Sequence, residues 1–251
     1  MRKPVRILLI VAAVLAVITL VNVAPMISRR TPRMEQYESH GITVYAEPTD
    51  RAEVDRIAAR ISDRTASVVG ALGATSASGI SIIIYPSNKV LHRKTIGLAG
   101  VFLPDWFIGN NTTDFVLITS PANPGPVHDR ESIELAAVHE YVHVLTDRRN
   151  RGLSHWLREG IALYLAGQTP TSATIRSYRD ISFQEFSLNG PIRFANVGGY
   201  ALAYTLIDYI TTEFGWQAVV DLIEPGATYQ SVLGISDREL YERWRLTLPG
   251  V

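Results

Sequence analysis

Two histidines and a glutamate stand close together in the segment His139-Glu140-Tyr141-Val142-His143. Residues four positions apart lie on one face of a helix, so in a helical segment the two imidazoles stack one turn apart. Ring nitrogens placed in this way reach one metal ion at about 2.0–2.1 Å. Glu140 lies about 100° around the helix from His139, so its carboxylate reaches a metal-bound water and does not ligate. The spacing predicts two metal ligands, His139 and His143, with Glu140 as the catalytic base.

A second motif follows at residues 156–164, which read WLREGIALY. Zinc requires a third protein ligand and keeps its fourth position open for water. Residues 149–153 provide a short polar turn, so a second helix antiparallel to the first can return Glu159 to the metal. We therefore expect Glu159 to be the third ligand and each chain to hold one Zn²⁺.

Each motif also has a plainer explanation. The H-E-x-x-H pattern arises by chance in about one chain of this length in a hundred, as two unrelated histidines on a partly buried helix. A lone helical glutamate is more often exposed to solvent than bound to a metal. The helical context of the first motif and the position of Glu159 soon after it favour a metal site.

Taken together, the motifs resemble those of the gluzincin metallopeptidases, specifically the bacterial peptidase MA-like families, which couple H-E-x-x-H with a later W-L-x-E-G-x-A-x-Y. Residues 200–215 are similar to the helix that these families place after the third ligand, and residues 233–245 to their closing helix. The resemblance covers roughly residues 80–248, although only the two metal motifs are highly specific. It implies a zincin-like metallopeptidase domain over residues 34–251 that hydrolyses peptide bonds as an endopeptidase, with a peptide or protein as its substrate.

The resemblance also implies roles for individual residues. Zinc polarises the scissile carbonyl and lowers the pKa of its water towards about 7, and Glu140 passes the water proton to the leaving amine. Similar enzymes stabilise the oxyanion with a Tyr or His from a later segment, so Tyr200 is the first candidate, Tyr204 the second and His155 the next. Tyrosines at helical spacing are also common as core or rim residues. The strand at residues 115–119 is expected to pair with an extended substrate.

Other histidines and acids have weaker support. Asp147 follows His143 by four residues and could orient a ligand, but an exposed aspartate near a helix end is the more ordinary explanation. His155 is expected to face solvent at the start of its helix. The remaining histidines have no partners at ligand spacing: His40, His92 and His128.

Composition excludes several other kinds of function. The 251 residues contain no cysteine, which excludes disulfides, a Cys-ligated zinc site and a thiol nucleophile. The formal net charge is zero, and no Gly-rich phosphate-binding motif is present, so nucleic acid is not an expected partner. The length suits one sizeable domain.

Hydrophobic periodicity places these residues on particular elements. Strands are predicted at residues 42–47, 80–85 and 115–119, and residues 97–113 are predicted to form a loop or an irregular hairpin. Helices are predicted from a cap at Thr49 or Asp50 to residue 72, and at 131–148, 155–166 after the cap Ser154, 199–214, 217–223 and 236–248. The expected class is α+β, with a strand-rich first half and a helical second half.

The N-terminus carries a separate signal. Basic residues precede an apolar run at residues 7–23 that is interrupted only by Thr19 and Asn22. The run reaches the lower limit of about 17 residues for a membrane span, so we predict an uncleaved transmembrane anchor and tether over residues 1–33. A signal peptide cleaved near Ala24 is the alternative. Basic residues lie on both sides of the run, so the positive-inside rule does not fix its orientation; the absence of cysteine favours an extracytoplasmic domain.

Two alternatives to a peptidase remain at this point. A protein of the same fold that has lost catalysis would be a membrane-tethered metal-binding module, although such a site would not need Glu140. Two histidines and one carboxylate also describe a non-haem iron site. The combination of H-E-x-x-H with the motif around Glu159 favours zinc.

Overall fold

The computed structural model describes residues 3–74, 76–187 and 190–249. The strands are β1 (Glu35–Ser39), β2 (Ile42–Ala46), β3 (Ser81–Tyr85), β4 (Gly109–Asn111) and β5 (Phe115–Thr119). The helices are α1 (Lys3–Ile27), α2 (Arg51–Leu72), α3 (Asn88–Ile96), α4 (Arg130–Arg149), α5 (His155–Ala166), α6 (Ser172–Tyr178), α7 (Phe183–Phe186), α8 (Pro191–Asn196), α9 (Gly199–Phe214), α10 (Trp216–Leu222), α11 (Tyr229–Leu233) and α12 (Asp237–Arg245). Short 3-10 segments lie at Pro48–Asp50 and Gly97–Phe102. The predicted α+β class is confirmed.

The described residues divide into two compact units. Unit 1 comprises Met1–Ala59, Ser81–Asn110 and Val116–Glu134, and unit 2 comprises Arg60–Ile80, Asn111–Phe115 and Leu135–Val251. The strands form one sheet in the order β1-β2-β3-β5-β4, in which β2 is antiparallel to β1 and parallel to β3. Strands β3 and β5 each bury their last four residues. Since successive side chains point to opposite faces, these two strands are covered on both faces, as their continuous apolar sequences predicted.

Strand β1 was not predicted. Its sequence EQYES lacks an apolar alternation because it is an edge strand with mostly exposed side chains. It joins β2 through His40 and Gly41, whose φ angles of 49° and 74° are both positive. Two positive φ angles are typical of the tight turns that connect antiparallel strands. Residues 97–113, predicted as a loop or an irregular hairpin, contain the 3-10 segment Gly97–Phe102 and the short strand β4, which pairs with β5.

Helix α1 matches and extends the predicted apolar run. Its Val5–Ile27 portion is long and apolar enough to cross a membrane, and none of its most apolar stretch is buried within the protein. A helix of this length spans a hydrocarbon core about 30 Å thick.

Unit 2 is built around the packing of α5 against α9. Ser154 caps α5, as predicted, by accepting a hydrogen bond from the backbone N–H of Leu157. The ring of Trp156 lies 5.0 Å from Phe186, 5.0 Å from Phe194 and 5.9 Å from Trp244. These aromatic contacts attach α7, α8 and α12 to α5.

A glycine allows α5 and α9 to approach closely. A Cβ atom added at Gly160 would lie 2.5 Å from the backbone oxygen of Ala203 and 2.7 Å from Cγ1 of Ile207. The two helices would have to separate to accept any side chain at this position. Gly160 immediately follows Glu159, so the same close approach fixes the turn of α5 that carries this carboxylate.

We predict that Gly160→Ala destabilises the protein. The overpacking should lower the free energy of unfolding by about 1–3 kcal/mol, more than the gain in helix propensity restores. Guanidinium unfolding of the detergent-solubilised chain, followed by tryptophan fluorescence, measures the change. Gly70→Ala is the matched control, because a Cβ at this helical glycine meets nothing within 4 Å. It should stabilise the protein by about 0.5–1 kcal/mol; equal effects of the two substitutions would contradict the packing argument.

Candidate metal centre

His139 and His143 both lie in the portion of α4 that belongs to unit 2. Their side chains are buried, and their rings stand 4.4 Å apart at 90° to one another. The four-residue spacing therefore places both rings on one face of the helix, as predicted.

Glu159 of α5 brings a carboxylate to these rings. Its Oε2 lies 3.2 Å from Nε2 of His139, and its Oε1 lies 3.4 Å from Nε2 of His143. The three side chains are buried and offer ligand atoms that all lie within 4.8 Å of one another. The structure thus brings together the three residues that the sequence proposed as ligands, and the group could bind a metal ion.

The surroundings of both rings suit a metal. Nδ1 of His139 donates to the side-chain oxygen of Gln168 at 2.8 Å, which holds the ring with its Nε2 facing Glu159. Nε2 of His143 also faces Glu159 and lies 3.4 Å from Nη1 of Arg158. Two ring nitrogens and a carboxylate therefore face one point, and this donor set fits a metal ion.

Arg158 and its partners form a partly buried network beside the candidate ligands. Nη1 of Arg158 donates to Oε1 of Glu159 at 2.8 Å. Its Nε donates to Oδ1 of Asp147 at 3.2 Å, and its Nη2 donates to Oδ1 of Asn111 at 2.7 Å. Asn111 in turn donates to Oδ2 of Asp147 at 2.7 Å. These contacts fix the guanidinium, and through it the orientation of the Glu159 carboxylate.

Several of these residues were missed or misjudged from the sequence. Asp147 is not the exposed aspartate that was the ordinary expectation, because Arg158 and Asn111 hold it in the network. Arg158 stands next to Glu159 in the second motif, and that adjacency was the available signal. Asn111 and Gln168 come from segments distant in sequence, and no spacing rule pointed to them.

Burial and mutual charge shift the pKa values of the group strongly. Burial raises the pKa of Glu140 to about 7, although the charge of His139 opposes the shift. Burial also lowers the pKa of His143 to about 4, with the Glu159 charge opposing. For Glu159, burial is outweighed by the charge of His143 and by hydrogen bonds from both histidines, so its pKa lies well below the usual range. For His139, burial lowers the pKa, but the hydrogen bond and charge of Glu159 prevail and the net shift is upward.

The two tyrosine candidates differ in their surroundings. Burial raises the pKa of Tyr200, and the charges of Glu159 and Glu140 raise it further, so its phenol senses both carboxylates. Tyr204 instead accepts a hydrogen bond from the Thr169 hydroxyl at 3.2 Å, and its ring lies 5.4 Å from that of Tyr164. The charges of Glu159 and Glu140 therefore act on the hydroxyl of Tyr200.

The other histidines do not join the group. His155 does not face solvent as expected: it is partly buried, its ring lies 4.6 Å from Phe194, and its Nε2 is buried with no hydrogen-bond partner among the described residues. His92 and His128 bond backbone oxygens in unit 1, and His40 occupies the β1–β2 turn.

Comparison of the chain with protein-family models, with curated proteins and with solved structures gave no match. The function of the chain must therefore be inferred from its own residues and their geometry.

We predict that the purified full chain carries about one tightly bound divalent ion, and that His143→Ala abolishes tight binding because it removes one of three ligands. Inductively coupled plasma mass spectrometry measures both content and identity. His40→Asn is the matched control, since it replaces an exposed histidine at a positive φ angle that asparagine tolerates. Full occupancy in the His143→Ala variant would refute the ligand set, and iron as the dominant ion would favour the non-haem iron interpretation.

Proposed function

We propose that the protein is a zinc-dependent endopeptidase of the gluzincin type, with a zincin-like catalytic domain over residues 34–251. The observation that carries this proposal is the convergence of His139, His143 and Glu159, with the buried Glu140 one position along the same helix. Two imidazoles and one carboxylate suit zinc and leave a position open for water. A purely structural metal site would need no carboxylate at residue 140.

The proposed mechanism assigns proton transfer to Glu140. Zinc held by the three ligands would supply Lewis acidity to the scissile carbonyl and to the attacking water. Glu140 would accept the proton of that water and return it to the leaving amine; it is buried and stands next to His139 on the same helix.

Two further groups support the reacting centre in this proposal. Arg158 holds one oxygen of Glu159, so that the other oxygen is free to ligate. Tyr200 retains its proton because burial and the nearby carboxylates raise its pKa, and a phenol that stays protonated can donate to the oxyanion.

We further propose that α1 remains attached and anchors the protein in the cell membrane as a single span, with the catalytic domain outside the cytoplasm. The length and apolar character of Val5–Ile27 support the span. The substrate in this proposal is a peptide or protein.

The proposal predicts that Glu140→Gln removes activity and keeps the metal. Glutamine preserves size and hydrogen bonding but cannot take a proton, so cleavage should fall by about 10²-fold or more. A diverse peptide library incubated with the full chain in detergent, with and without chelator, and read by mass spectrometry gives the cleavage rates.

The matched control is Glu131→Gln, which changes an exposed glutamate in the first turn of the same helix. It should leave both cleavage and metal content unchanged. If the intact chain binds zinc yet cleaves no peptide in the library, the alternative of a catalytically inactive metal-binding module is favoured.

A separate prediction concerns Tyr200. If its hydroxyl donates to the oxyanion, Tyr200→Phe should lower kcat by about 10²–10³-fold with little change in KM, because the bond forms mainly in the transition state. Steady-state kinetics on the best library peptide measure both constants.

Tyr204→Phe serves as the control, since it removes a hydroxyl from the same helix one turn away. A large loss of kcat in that variant alone would transfer the role to Tyr204. Near-normal kinetics in both variants would mean that neither phenol is the donor, and His155 would be tested next.

A further inference from the structure

The 3-10 segment Gly97–Phe102 in unit 1 exposes large apolar side chains. Val101 is 80% exposed and Phe102 is 85% exposed, and Leu98 in the same segment is 47% exposed. Isolated apolar residues are normal on a protein surface, but three within five residues form a local patch. We call this set, Leu98, Val101 and Phe102, the apolar patch.

The apolar patch is attached to the C-terminal part of helix α1. The backbone N–H of Leu98 donates to Oδ1 of Asn22 at 2.8 Å. A Cβ atom added at Gly97 would lie 2.3 Å from the backbone oxygen of Asn22, so the two backbones approach as closely as a glycine allows. Gly97 also has a φ of 68°, which favours glycine. The segment is thus held in one place against α1.

The position of Asn22 in α1 sets the depth of this attachment. Asn22 lies five residues before Ile27, the last residue of the apolar span, which is about 7.5 Å along the helix axis. A span of 23 residues is about 34 Å long and exceeds a hydrocarbon core of about 30 Å by a few ångströms. Asn22 therefore lies about 5 Å inside the boundary between acyl chains and headgroups, roughly one helical turn deep, and the segment bonded to it lies near the same boundary.

The hydrogen bond itself suits that depth. A polar side chain within an apolar span must find a partner, because the bilayer core offers no water. The first N–H groups of a helical segment likewise lack partners within their own segment. The backbone N–H of Leu98 and the side-chain oxygen of Asn22 therefore serve as each other's hydrogen-bond partner.

Several basic residues lie at or near the same end of α1. Lys94 donates to the backbone oxygens of Ser28 and Arg30, and Arg29 and Arg93 add two further charges close by in sequence. Basic residues beside an apolar surface favour the headgroup region of anionic lipids.

We propose that the apolar patch inserts into the bilayer interface beside α1 and forms a second membrane contact of unit 1. The occupant of the patch is lipid, because the patch is continuous with the proposed membrane span and lies at the depth of its end. This inference rests on the proposed span but is independent of the metal site. It gives unit 1 a second attachment at the membrane surface in addition to α1.

Nitroxide labels on the full chain test the depth directly. The chain contains no cysteine, so Phe102→Cys, Thr19→Cys and Glu38→Cys each give a single labelling site on an exposed residue. Each labelled chain is reconstituted into vesicles of phosphatidylcholine and phosphatidylglycerol. Electron paramagnetic resonance then compares collisions with oxygen, which concentrates in lipid, and with a water-soluble nickel chelate.

The label at residue 102 should give an oxygen-to-nickel collision ratio several-fold higher than the label at residue 38, and closer to that at residue 19 in α1. An aqueous ratio at residue 102 together with a lipid ratio at residue 19 would overturn the proposed contact while the span stands, and would favour a protein partner for the patch. Aqueous ratios at both positions would overturn the span as well.

Discussion

The burial of the Glu159 carboxylate is the constraint on which the rest of unit 2 depends. Taking a carboxylate out of water costs several kcal/mol unless cations or hydrogen-bond donors compensate it. Here two imidazoles from α4 and the guanidinium of Arg158 surround it at 2.8–3.4 Å. Such distances require α4 and α5 to lie side by side, and Gly160, the residue after Glu159, lets α9 approach α5 closely. The helical packing and the candidate metal-binding group are therefore one arrangement.

Burial and charge together explain why so many pKa values of the site are shifted. Burial is the main cause of the raised pKa of Glu140 and of the depressed pKa of His143. At His139 the hydrogen bond and charge of Glu159 outweigh burial and raise the pKa. The network contains three carboxylates, Glu140, Asp147 and Glu159, and one permanent cation, Arg158. A divalent ion would bring the formal sum to zero.

The parts of this structure that follow from local rules were predictable, and the parts that follow from distant contacts were not. Helix α4 with its two histidines, its capped successor at Ser154 and the long helix α9 have strong periodicity or caps, and their bounds agree with prediction within a residue or two. The short helices α6, α7 and α8 are too brief to be stable alone, and α7 and α8 depend on aromatic contacts with Trp156. Asn111 and Gln168 reach the site across 47 and 29 residues of sequence. The ligand trio was predictable because spacing and a short turn define it; peptidase activity stays a prediction.

Asn22 is interpreted differently from the sequence and from the structure. In the sequence it is only an interruption of an apolar run, and it counts slightly against a membrane span. In the structure its side-chain oxygen accepts the N–H of Leu98, and its backbone oxygen lies against Gly97. Cleavage of a signal peptide near Ala24 would remove this acceptor and leave the N–H of Leu98 without it. Retention of α1 and the placement of Gly97–Phe102 are therefore linked, because the first N–H of the segment bonds to a residue of that helix.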